Sequence, residues 1–214
     1  MNRFVSLVAH CLFLAGCVSA GPPPISFEES AGFAGKTLAM TMRTNPPFVA
    51  MTASKGMFAL VGVGVAVAAG NDLVLNKNIT DPANAVAQTV AADYGSRYGM
   101  KVVEPVHLTS SPNTSELARS TGDTDYILDV ASTGWGFNYL PLKLNQFRVV
   151  YSAKIRLIDA SVGKVLISDT CLYDSISMGK SPVSHEELLA NDATYIKAIL
   201  SDAERYCAQK FISN

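Results

Sequence analysis

Charge is scarce in this chain, and neither sign prevails. Of 214 residues only 16% are charged, 17 basic against 18 acidic, and no block of like charge occurs. That balance gives no electrostatic grip on a phosphate backbone, so no nucleic acid is expected as a partner. Cysteine is sparse too: Cys11, Cys17, Cys171 and Cys207 are too few for a disulfide scaffold. Of the three histidines, only His107 and His185 lie outside the first 16 residues. Neither has a second ligand at usable spacing, and the thiols are dispersed, so no metal site and no cofactor is expected. No serine sits in a Gly-x-Ser-x-Gly turn, so no catalytic residue and no small-molecule substrate is assigned. His185 lies beside two glutamates, but Ser184-His185-Glu186-Glu187 reads as a helix start, with Ser184 as N-cap and Glu187 at the capping-box position.

Apolar residues, by contrast, make up 49% of the chain, enough for a packed core. The length suits one domain and an export segment, and no internal repeat is visible. Residues 1–16 read as a signal peptide: Arg3 gives a positive start, and Phe4 to Leu14 are apolar but too few to span a bilayer. Leu14-Ala15-Gly16-Cys17 resembles the lipobox of bacterial lipoproteins, which makes Cys17 the lipidation site and the first mature residue. The competing reading is an ordinary signal cut near Ala20. Two or more acyl chains on Cys17 give stable anchoring, at about 0.8 kcal/mol per buried methylene. Val18, where an aspartate would favour the inner membrane, implies by the same resemblance the outer membrane, with the domain facing the periplasm. Residues 17–35, with Pro22-Pro23-Pro24, read as a lipidated tether.

The globular domain is expected over 36–214. Lys36 to Met42 is a candidate strand, closed by Asn45-Pro46-Pro47. Met57 to Ala69 is apolar and built of small residues, and three readings stay open: a buried helix, a packed hairpin or a membrane-touching element. As a helix it is about 20 Å long, short of a hydrocarbon core of about 30 Å. Asp81-Pro82 opens a helix that Gly99 closes. Strands are expected at Met100 to Val106 and Tyr126 to Ala131, with a short helix over Ser115 to Ser120 between them. Val149, Tyr151, Ala153, Ile155 and Leu157 alternate with Arg148, Ser152, Lys154 and Arg156, so that strand has one dry face. It turns at Asp159 to Lys164 and pairs back over Val165 to Tyr173. Leu189, Ala193, Ile196, Leu200, Ala203, Cys207 and Phe211 form one stripe of a final helix. The order predicts an α/β fold, a mixed β-sheet with helices packed on it, in a single domain.

Tyr126-Ile-Leu-Asp-Val130, Gly134-Trp-Gly-Phe137, Arg148 to Asp159 and Gly163-Lys-Val-Leu166 resemble a family of bacterial envelope lipoproteins. More distantly, the order of elements is similar to the curli-secretion (CsgG-like), exopolysaccharide-export (PelC-like) and penicillin-binding-protein-activator (LpoB-like) lipoproteins. Their core is anticodon-binding-domain-like. The resemblance implies a non-enzymatic part in envelope assembly or export, with an envelope protein or a second copy of the chain as partner. Two rivals are an oligomeric export component that inserts residues 57–69 into a membrane and an envelope hydrolase. Cys171 on a strand and Cys207 on the helix stripe are expected to pair in an oxidising compartment, the alternative being two core thiols. The stretch 134–142 reads as a loop between strands. Trp135, Phe137 and Tyr139 are its partner-binding candidates, unless Trp135 and Phe137 fold back onto the core.

Overall fold

The computed structural model describes residues 32–57 and 59–213, the side chains of 59, 60 and 105–108 excepted. Among the described residues six strands form one mixed sheet: β1 Thr37–Arg43, β2 Phe48–Met51, β3 Lys101–Thr109, β4 Tyr126–Leu140, β5 Lys143–Asp159 and β6 Lys164–Asp174. Their order is β3-β1-β4-β5-β6, and β2 pairs with β4 beyond the stretch that β1 occupies. Pairings among β1, β2, β3 and β4 are parallel, while β4-β5-β6 is an antiparallel meander. This is the mixed sheet with packed helices that the element order implies.

The helices are α1 Ala53–Gly56, α2 Ala59–Lys77, α3 Ala83–Tyr98, α4 Thr114–Ser120 and α5 His185–Ile212. Helices α3 and α5 pack side by side on one face of the sheet. Val86, Val90 and Tyr94 of α3 and Ile196, Leu200, Ala203 and Phe211 of α5 bury against Leu128, Val130, Tyr151, Ile155 and Leu157. The small α4 covers only one end of the opposite face, where Leu117 meets Ile127 and Ile158. Among the described residues no helix lies over the rest of that face.

Local chemistry sets the helix ends. The Ser184 side chain accepts from the Glu187 N–H and Glu187 reaches back to the Ser184 N–H, the reciprocal cap that spacing implies. Asp81 caps α3 by accepting from the Ala83 N–H at 2.9 Å, and Gly99, at φ 67°, ends it. Helix α5 is broken at 190–193, where Asn191, Asp192 and Ala193 are left-handed. The break shifts the phase of its first turn, so Leu188 is buried there and Leu189 only partly. Phe33 is also in the core, edge-on to Tyr126 at 5.0 Å. Phe33, within the segment expected as tether, thus belongs to the core.

The apolar run from Met57, for which three readings were open, is helical over Ala59–Lys77 as α2 and is covered on one side only. Only a small-residue edge is covered. Gly62, Ala66 and Gly70, four apart, form that edge: Gly62 lies against Lys55 of α1, and a Cβ on Gly70 would stand 1.9 Å from the Phe48 carbonyl oxygen of β2. The valines on the other side are exposed.

Candidate binding site

The aromatic candidates are placed differently from the sequence reading. Residues 134–140 are not a loop but the second half of β4, and the turn is confined to Pro141-Leu142. A bulge between Ser132 and Gly134 adds one residue to β4 and shifts the alternation. Trp135 and Phe137 thereby join Leu128 and Val130 on the buried face, 3% and 1% exposed. Trp135 donates its indole N–H to the Pro46 carbonyl at 2.7 Å and packs edge-on against Phe48 at 5.0 Å. Both rings hold β2 in place, which takes them out of a partner's reach. Tyr139 is half-buried against the backbone of Gly56.

Cys171 and Cys207 are joined by a disulfide, Cα atoms 5.5 Å apart, tying β6 to α5 beneath the surface. His185 begins α5 with its ring 5.5 Å from that of Phe147 and 6.1 Å from that of Phe137. Cys17, the signal segment and most of the tether lie outside the described residues, as does the His107 side chain. No group of three His, Cys, Asp or Glu among the described residues is placed to hold a metal ion.

On the helix side of β4, Ser132 donates its one hydroxyl proton to Asp81 at 2.5 Å and accepts from the Tyr151 hydroxyl at 3.0 Å. Burial pushes the Asp81 carboxyl above its ordinary value, although hydrogen bonds from Ser132 and Ala83 pull the other way. Burial likewise raises Tyr151. The relay ties the start of α3 to the sheet and contains no imidazole to activate Ser132.

The uncovered sheet face carries the more accessible chemistry. Asp129 of β4 lies there, almost wholly buried by its partners. Arg43 of β1 donates to it from Nε at 2.6 Å and from Nη2 at 2.8 Å. Arg156 of β5 adds Nε at 2.8 Å and Nη2 at 2.6 Å, and Thr41 donates its hydroxyl at 2.6 Å. The far ends of the guanidiniums meet the carbonyls of Ser111 and Pro112. Burial alone would raise the Asp129 carboxyl, but the hydrogen bonds from Arg43, Thr41 and Arg156 and the Arg43 charge outweigh it and hold the carboxyl below its ordinary value.

A groove of about 290 Å³ opens beside this cluster, lined by Arg43, Arg156, Lys154, Thr44, Ser110 and Thr133 among others. It gathers three cations around one carboxylate in a chain of nearly zero net charge. Lys154 is exposed and makes no ion pair among the described residues. The arrangement can accept an anionic group by charge and hydroxyl hydrogen bonding. Its members escaped the sequence reading, although one signal was present: a carboxylate inside the apolar run Ile127 to Val130 requires a buried cation opposite it.

No protein-family model matches this chain, and no curated protein does. Among solved structures, a protein from Xanthomonas campestris described as DUF330 aligns at 10% identity over 91% of this chain and 85% of that one, TM-score 0.44. A PelC dodecamer from Paraburkholderia phytofirmans aligns at 18% identity over 79% and 88%, TM-score 0.32. A lipoprotein from Neisseria meningitidis aligns at 17% over 80% and 99%, TM-score 0.33.

Proposed function

We propose that this chain is a lipid-anchored, non-catalytic binding or scaffold lipoprotein of the bacterial periplasm, engaged in envelope assembly or export. Its anchor is Cys17, its membrane the outer one, and its partner another envelope protein or a second copy. The observation that carries the binding role is the uncovered sheet face with its cationic groove at Arg43, Lys154 and Arg156. The Cys171–Cys207 bond supports an oxidising compartment, where such bonds persist. The groove's charge favours a partner that presents a carboxylate or phosphate.

A photo-crosslinking residue at Thr133, used in living cells, tests the reading. Discrete protein adducts that disappear in Lys154→Glu support it. Adducts with bulk lipid alone, or adducts indifferent to Lys154→Glu, contradict it.

A further inference from the structure

The exposed side of α2 changes character along its length. Through its first three turns the described outward positions are Val61, Val63, Gly64, Val65 and Ala68, with Met57 just ahead of the helix. Val61 is 74% exposed, Val65 51% and Met57 77%. In the last two turns the outward positions are mixed: Asn71, Asp72 and Asn76 are exposed beside Leu75, itself 76% exposed. No charged residue occurs between Lys55 and Asp72. Water gains nothing from this face, and a contiguous exposed apolar patch of this kind marks a contact site.

We infer that the first three turns of α2 dock on a lipid bilayer, tilted so that the Met57 end enters the acyl boundary while Asp72 stays among the headgroups. The helix lies in the interface and does not span, and no helix among the described residues is long and apolar enough to cross a membrane. Two features favour lipid over protein. The face has no Trp, Tyr or Arg, the residues that dominate protein hot spots, and it has no charge to desolvate. The described fold begins at Gly32, fifteen residues after Cys17, and fifteen residues reach at most about 50 Å. An acylated Cys17 therefore keeps the domain within its own dimensions of the bilayer, and for this proximity the inference rests on the proposed anchor.

The test uses a chain truncated to begin at Val18, which carries no lipid and retains every described residue. It is floated with phosphatidylcholine vesicles, alone and with added phosphatidylglycerol, at low and high salt. The expected result is a vesicle-bound fraction insensitive to salt. The partition coefficient should fall by about a hundredfold in Val61→Asp/Val65→Asp, since each valine withdrawn from the bilayer forfeits about a factor of ten. Leu142→Asp, at an exposed apolar residue on the β4–β5 turn, should leave it unchanged, and both variants should keep the parent circular dichroism spectrum. No flotation, flotation that survives the two aspartates, or a soluble oligomer that those aspartates dissolve would overturn the inference, the last by giving the face to a second copy. Palmitate labelling of the unprocessed chain is read separately, so loss of the anchor and loss of the docking face are distinguishable.

Discussion

Arg43 reaches from β1 to Asp129 on β4 with two parallel donors, Nε at 2.6 Å and Nη2 at 2.8 Å, across a sequence gap of 86 residues. Arg156 closes on the same carboxylate from the other side, so one acid ties three strands and the 111–112 carbonyls together. The same geometry fixes two cations at the wall of the groove.

Asp129→Asn should therefore leave two buried guanidiniums without a counter-charge, and we expect a loss of about 3–5 kcal/mol in urea unfolding. The pH dependence follows from the depressed carboxyl. Its contribution is fully present above the unfolded value of about 4 and is lost as pH falls through the lower folded value. Wild-type stability should decline below about pH 4, and the Asn variant should show a shallower decline.

The hairpin of β5 and β6 was legible because apolar residues recur at every second position from Val149 to Leu157, opposite Arg148, Ser152, Lys154 and Arg156, with Val150 the one departure. The cap at Ser184 and the stripe from Ala193 to Phe211 were legible for the same reason, that the signal is local. Strand β2 was not, because four residues after two prolines carry no periodicity of their own, and their stability comes from β4 and from the glycine edge of α2. The phase of Trp135 and Phe137 was hidden by the bulge, since one extra residue exchanges the faces of everything beyond it. The groove was hidden by distance: Arg43, Asp129 and Lys154 meet only once the strand order is known.

Glycines two residues apart in α2 should respond oppositely to alanine. Gly62→Ala places a Cβ 1.7 Å from the Lys55 carbonyl oxygen and should destabilise the domain by more than 1 kcal/mol, on the order of other overpacking changes. Gly64 has nothing within 4 Å, so Gly64→Ala should stabilise by about 0.5–1 kcal/mol through the lost chain entropy. Thermal melts of the two variants check the pair.

Reduction should expose the contribution of the cystine. Cys171 and Cys207 are 36 residues apart, and the loop-entropy relation gives about 3–4 kcal/mol for closing such a loop. Urea midpoints with and without reductant, and for Cys207→Ser, should agree on a loss of that order.

Trp135→Ala should behave as a core mutation. Removing the ring and its bond to Pro46 should cost about 3–5 kcal/mol, whereas Tyr139→Ala, at a half-buried site, should cost less. Chemical denaturation of both variants gives the comparison. A stable Trp135→Ala protein that had lost only its crosslinks would return this residue to the partner surface.

Attachment of lipid at Cys17 is tested most directly by feeding labelled palmitate to cells that make the full chain or its Cys17→Ser variant. The account predicts label in the full chain, none in the variant, and a larger, unprocessed variant. An unlabelled full chain, or a Cys17→Ser chain processed and fractionated like the parent, would contradict it.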